Sequence, residues 1–92
     1  MDTTFWQDFT IADRFGIDAV KDTYKRAFDE WRHNYKYVTE LSIVMNHKLW
    51  HHYHENNRNL ALLYNDLWKE IHDWCLNNLT GEELRYYIEK TD

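Results

Sequence analysis

The sequence of 92 residues contains no proline, two glycines and one cysteine, Cys75. Without proline, helices are not interrupted, and with so little glycine the chain has no glycine-rich loop for phosphate groups. One cysteine cannot form an internal disulfide or supply the thiolates of a structural zinc site. These absences favour a helical protein of a reducing compartment, and we expect a cytoplasmic location.

Long apolar runs and excess positive charge are also lacking. No apolar stretch approaches the roughly 20 residues that span a bilayer, and the start MDTTFWQDFT has no secretory-signal pattern. Lysine and arginine number 11 against 16 aspartates and glutamates, a formal net charge of −5. Attraction to nucleic-acid phosphates needs cationic side chains, so this balance disfavours nucleic acid as a partner. We expect no membrane partner either.

Aromatic side chains are abundant, with five Trp, seven Tyr and four Phe. Each can bury about 150–250 Å² of surface. A chain of this length forms one small hydrophobic core, so the sequence predicts a single helical domain over residues 1–92.

Apolar residues recur at helical spacing throughout and predict an all-α fold. Thr4 and Gln7 have the spacing of a capping box at the start of a first helix, which ends near Gly16. Asp18 is placed to cap a second helix. Asn59 is the predicted cap of a later helix, and a second capping box, Thr80 with Glu83, precedes a short last one.

The boundary between the second and third helices is open. Apolar residues continue in one phase from Tyr24 to His52, which is compatible with one long helix. Modest helix formers in HNYKYVT favour a break instead, with Thr39 capping a third helix over about 39–55. The predicted architecture is an irregular bundle of four to five helices.

A DNA-binding regulator using residues 10–36 is one alternative. Ala12 and Gly16 have the A-x-x-x-G spacing of helix-turn-helix units, and Ile17 follows as that motif expects. The positions that should be apolar in its second helix are Asp22 and Lys25, so the register is wrong.

A basic stripe on that second helix gives the alternative further support, with four members: Lys21, Lys25, Arg32 and Lys36. Three aspartates lie on or beside it: Asp18, Asp22 and Asp29. Their spacing predicts ion pairs one turn apart, between Lys25 and Asp29 and between Asp22 and Arg26, and hence a self-neutralised helix face.

A metal-binding protein is the other alternative, because His47, His51 and His54 lie along one stripe of the third helix. His47 and His51 are one turn apart and could share a Zn²⁺ or Ni²⁺ ion. A third ligand would have to be His54 or Glu40, which one straight helix presents poorly. The segment EWRH has the E-x-x-H spacing of di-iron bundles but occurs once, where that chemistry needs two copies. We expect no metal and no other cofactor.

Catalytic constellations are absent, and we expect no enzyme activity. The chain has no H-E-x-x-H motif and no nucleophile elbow. Cys75 lies on the apolar face of the fourth helix, where burial should raise its pKa and leave it inert. His52 lies on the core side of the third helix, as a hydrogen-bonded core or rim histidine would.

Leu62 and Leu76 fall at positions of the fourth helix that should be polar, and Ile43 and Trp50 flank an unusually wide apolar arc of the third helix. Such a surface costs solubility unless it is covered, so the sequence predicts an interaction surface. We expect a homo-oligomer, most simply a dimer, with an unidentified protein partner as the other option.

Nearly the whole chain, and above all ADRFGIDAVKDTYKRAFDEW and GEELRYY, resembles small uncharacterised proteins of conjugative and phage-like elements in Gram-positive gut bacteria. The resemblance implies an all-helical cytoplasmic accessory protein, and it favours regulation or host interaction over metabolism. It carries no activity onto any residue. Together these features predict a non-enzymatic interaction module that acts through protein contacts.

Overall fold

The computed structural model describes residues 4–92, which form an all-α bundle of five helices, as the sequence predicts. The helices are α1 (Phe5–Phe15), α2 (Ile17–Trp31), α3 (Tyr35–His54), α4 (Arg58–Asn78) and α5 (Glu82–Thr91). Residues 1–3 of the predicted domain lie outside the described residues. Within residues 4–92, no helix has both the length and the apolar character that crossing a membrane requires.

A single residue, Gly16, links α1 to α2. Its φ of 107° reverses the chain, and its N–H donates to the carbonyl of Ala12 at 3.1 Å. A left-handed φ suits glycine, which has no Cβ to clash, so the predicted helix end at Gly16 is confirmed. The predicted cap at Asp18 is wrong, because α2 begins directly after the glycine and places Asp18 in its first turn.

The break between α2 and α3 is confirmed, but Thr39 does not cap α3. Asn34 does, since its side-chain oxygen accepts from the N–H groups of Lys36 and Tyr37 at 3.1 and 3.3 Å. The extended backbone of Asn34 (φ −110°, ψ 106°) is the conformation that capping needs. Thr39 lies inside the helix, where its hydroxyl donates to the carbonyl of Tyr35 at 2.7 Å.

Of the other three predicted caps, Thr4 is at the N-cap position of α1 but makes no capping hydrogen bond, whereas Asn59 and Thr80 are not N-cap residues. Thr4 precedes α1, but its backbone is not extended, and its hydroxyl donates to the carboxylate of Asp8 at 2.9 Å. Asn59 lies inside α4, and α5 begins after Gly81 instead of Thr80. None of the three helix starts has a side-chain cap.

The core is built around the antiparallel pair α3 and α4, which contact each other along their lengths. The α1–α2 hairpin packs against this pair from one side, and α5 packs against α3 and α4. All five helices contribute fully buried side chains, the largest of which are Tyr64, Tyr87, Phe9, Leu41, Met45, Ile71 and Val20.

The core contains one polar atom with no hydrogen-bond partner among the described residues, the hydroxyl of Tyr24. The ring of Tyr24 stacks on that of Phe28, with centroids 6.0 Å apart, so its position is set by packing and not by its hydroxyl. A buried hydroxyl without a partner lowers the stability of the folded state.

We therefore expect Tyr24→Phe to leave the free energy of unfolding unchanged or to raise it by up to about 1 kcal/mol. The matched control is Tyr87→Phe, which removes a hydroxyl with two hydrogen-bond partners. This substitution should lower the free energy of unfolding by about 1–3 kcal/mol. Urea unfolding of the two variants measures both changes. A larger loss for Tyr24→Phe than for Tyr87→Phe would contradict the expectation.

Candidate functional site

A buried carboxylate lies where α1, α3 and α4 meet. One oxygen of Asp13 accepts from Lys48 Nζ at 3.1 Å and from His52 Nε2 at 2.8 Å, and the other accepts from the hydroxyl of Tyr64. The side chains of Asp13 and Lys48 are only 13% and 8% exposed. We call these four residues the Asp13 cluster.

Each donor of the Asp13 cluster is held by a second contact. Lys48 Nζ also donates to the hydroxyl of Thr10 at 2.9 Å, and the imidazole of His52 stacks on the ring of Tyr64 with centroids 5.4 Å apart. Lys48 and His52 are one turn apart on α3, so both reach the same carboxylate. The contacts fasten α1 to α3 and α4.

The pKa of Tyr64 maintains its hydrogen bond to Asp13. Burial, the hydrogen bond to Asp13 and the charge of that carboxylate raise the pKa of Tyr64 well above its usual range, so its phenol remains a donor. Within residues 4–92, the contact of Lys48 with Asp13 is the only ion pair of a lysine or arginine with a carboxylate, and His52 contacts the same oxygen. Three donors therefore occupy one nearly buried carboxylate and join α1 to α3 and α4.

A second polar chain fastens α5 to the bundle. The hydroxyl of Tyr87 lies 2.9 Å from Ser42 Oγ on α3 and 2.7 Å from His72 Nδ1 on α4. The ring of His72 stacks on Trp68, with centroids 4.9 Å apart. Burial raises the pKa of Tyr87 to about 12, so this contact stays protonated at neutral pH.

Cys75 is fully buried, and burial raises the pKa of its thiol to about 12. A nucleophilic cysteine needs its thiolate form. The prediction of a buried cysteine with a raised pKa is confirmed.

The three histidines of the predicted metal stripe are exposed and have aromatic neighbours. His47 packs edge-on against Trp6, with centroids 5.4 Å apart, and the ring of His54 lies 6.4 Å from that of Trp50. His51 contacts the ring of His52. In the part of the chain that the structure describes, no three His, Cys, Asp or Glu residues are grouped so that they could hold a metal ion.

The remaining histidine predictions have different outcomes. His52 is buried and hydrogen-bonded, so the prediction of a core histidine is confirmed. Glu30 and His33 of the E-x-x-H segment are both exposed on the surface.

The predicted basic stripe is divided by the structure and is exposed. Lys21 and Lys25 lie on α2, Arg32 follows its last residue, and Lys36 lies in the first turn of α3. The predicted ion pairs between Lys25 and Asp29 and between Asp22 and Arg26 are not formed, and Arg26 Nε lies 3.4 Å from the backbone carbonyl of Asp22 instead. Exposed ion pairs contribute little free energy, so hydration competes with them. Acidic and basic side chains both lie on this face of α2 and are exposed.

The predicted interaction surface is divided by the structure. Leu62 lines a groove of about 530 Å³ between α3 and α4, together with Leu49 and Tyr53. The ring of Trp50 packs edge-on against that of Tyr53, with centroids 5.8 Å apart. We call this region, lined by Leu49, Tyr53, Ala61 and Leu62 with Trp50 beside Tyr53, the hairpin groove.

The other two predicted residues lie elsewhere. Ile43 is half-buried in a smaller cavity beside Trp68 and the end of α5. Leu76 is exposed about four turns further along α4 than Leu62. Sequence reasoning missed Tyr53 as a surface residue because it lies on the apolar arc of α3, yet it is 63% exposed.

The chain matches no protein-family model, and no curated protein or solved structure is significantly similar to it. Function therefore has to be inferred from the surfaces of the molecule itself.

The Asp13 cluster makes a prediction for stability. We expect Asp13→Ala to lower the free energy of unfolding by about 3–5 kcal/mol, because the ammonium of Lys48 is left buried without its counter-charge. Asp18→Ala, at an exposed site near the start of α2, is the control and should cost less than about 1 kcal/mol. Similar losses for the two variants in urea unfolding would show that the cluster does not hold the helices together.

The burial of Tyr87 and Cys75 also predicts that the folded state loses stability at alkaline pH. Tyr87 and Cys75 keep their protons in the folded chain up to about pH 12, whereas the ordinary pKa values are 10.0 and 9.0. The folded state therefore binds more protons than the unfolded state between these limits. The stabilisation is complete below pH 9 and is lost as the pH rises towards 12.

We expect the urea midpoint to be lower at about pH 10.5 than at about pH 8. Tyr87→Phe should show a smaller fall over the same range, because one of the buried acids is gone. An equal midpoint at both pH values would contradict this account.

Proposed function

We propose that the protein is a non-enzymatic interaction module that acts through protein contacts and forms a homodimer through the hairpin groove. The observation that carries this proposal is the exposure of three large apolar side chains beside one groove. Trp50, Tyr53 and Leu62 are 50%, 63% and 55% exposed. Exposed aromatic and leucine side chains around a groove are typical of interfaces.

Charge favours a second copy as the occupant of this groove. Two chains that each carry a formal charge of −5 repel each other. They approach with least repulsion where carboxylates are absent, and the groove lining contains none. Its polar members are Asn56, Arg58 and Asn65.

The geometry of the hairpin suits a symmetric pair. In a two-fold dimer the same surface of each copy contacts the other. Two antiparallel α3–α4 hairpins placed face to face would form a four-helix arrangement with Trp50 and Leu62 in its centre. Each groove would then receive side chains from the partner copy.

The reactive groups of the core support a function without enzyme activity, because they are buried or already hydrogen-bonded. The Asp13 cluster has its carboxylate occupied by three donors, and Cys75 is buried with a raised pKa. A reduced cysteine also fits a cytoplasmic protein. The resemblance to accessory proteins of mobile elements fits a regulatory or host-interaction role.

Light scattering across a dilution series tests the dimer. We expect the wild-type mass to be that of two chains and the mass of Trp50→Glu and Leu62→Glu to be that of one, with folding retained because both side chains are exposed. The substitutions place carboxylates in the interface and add like-charge repulsion.

Leu76→Glu is the matched control. It places the same charge on an exposed leucine of the same helix, outside the groove, and should leave the dimer intact. A wild-type protein that stays monomeric at all concentrations would contradict the proposal. It would also be contradicted if Leu76→Glu dissociated the dimer while Trp50→Glu and Leu62→Glu left it intact.

A further inference from the structure

A larger groove, of about 610 Å³, runs between α1 and α2 on a different part of the molecule. Phe15 and Ala19 line it near the Gly16 turn, and Phe5 and Trp31 line it at the far end. We call it the α1–α2 groove. It shares no lining residue with the hairpin groove.

The shape of the α1–α2 groove suits a helix. Small side chains line it along its length, Ala12, Ala19 and Ala27, and they leave space between the two helices. Ala19 and Trp31 are separated by about 18 Å along α2. A partner helix of about three turns, or roughly 12 residues, would fill this length.

Large apolar side chains of α1 are exposed along one wall of the groove, as far as residues 4–92 show. Phe15 is 78% exposed, the largest exposed fraction among the large apolar side chains of residues 4–92, and Ile11 on the same side of α1 is also exposed. Burying two such side chains would favour an apolar face on the partner, as in other helix-in-groove contacts.

The charge of the groove favours basic residues on the polar face of the partner helix. Its lining carries three carboxylates, on Asp8, Asp22 and Glu30, against the single guanidinium of Arg26. None of the three carboxylates belongs to an ion pair of the described chain. A second copy of this acidic protein would meet like charge here, whereas lysine or arginine would meet carboxylates.

We propose that the α1–α2 groove binds a cationic amphipathic helix of a partner protein. Leucine-sized side chains of that helix lie over the alanines, beside Ile11 and Phe15, and its lysines or arginines face the three carboxylates. This contact is independent of the homodimer, because it uses a different pair of helices.

A synthetic peptide tests the proposal directly. The probe is a fluorescent helical peptide of about 14 residues with leucine on one face and lysine on the other, and its counterpart has glutamate in place of lysine. We expect the lysine peptide to bind and the glutamate peptide not to bind at about 150 mM salt, measured by fluorescence anisotropy. Equal binding of the two peptides would overturn the proposal.

Variants locate the binding site. Replacing the three groove carboxylates together (Asp8→Asn, Asp22→Asn and Glu30→Gln) should weaken binding of the lysine peptide about tenfold or more. The control makes the same three changes at exposed sites outside the groove (Asp18→Asn, Asp29→Asn and Glu89→Gln) and should weaken it less than about twofold. An equal loss for both would mean attraction to net charge alone.

A third variant tests shape without changing charge. Ala19→Gln fills the groove with a larger side chain that helices tolerate well, and it should also weaken binding about tenfold. If Ala19→Gln bound the lysine peptide as tightly as the wild type does, the α1–α2 groove would not be the binding site.

Light scattering of the same variants separates this contact from the homodimer. Their mass should equal that of the wild type, whatever the wild-type mass is. A change in mass for the groove variants would assign the α1–α2 groove to a second copy and overturn the cationic partner.

Discussion

The carboxylate of Asp13 fastens the α1–α2 hairpin to the rest of the bundle. A charge this far from water is costly unless donors replace its hydration, and Lys48, His52 and Tyr64 provide three. The donors come from two helices, so only one placement of α1 satisfies them all. That placement also determines which sides of α1 and α2 remain uncovered.

The packing of residues 4–92 leaves two grooves of different charge on the surface. The hairpin groove has no carboxylate in its lining and offers Trp50, Tyr53 and Leu62, which suits a copy of the same acidic chain. The α1–α2 groove combines the exposed Phe15 with an acidic lining, which suits a cationic helix. Because the grooves share no residues, one protein could hold its own copy and a different partner at once.

The candidate surface was only partly predictable from the sequence. Leu62 was identified because it interrupts polar positions and Trp50 because it flanks a wide apolar arc, and the structure places both at or beside one groove. Ile43 shared the signal of Trp50, and Leu76 shared that of Leu62, but both lie apart from the groove, since spacing along a helix does not say what a neighbouring helix covers. Lys48 was missed although it lies one turn from His52 on the buried arc of α3, a position where a lysine needs a carboxylate partner.

The sequence by itself determined the helical class, the turn at Gly16, the break before α3 and the burial of Cys75. These follow from local spacing and from the conformations that single residues allow. Only the tertiary structure decided that Asn34 caps α3, that Asp13 meets donors from α3 and α4, and that Phe15 is left exposed. The physical reason is that burial and hydrogen-bond partners depend on residues distant in the chain, which become neighbours only when the helices pack.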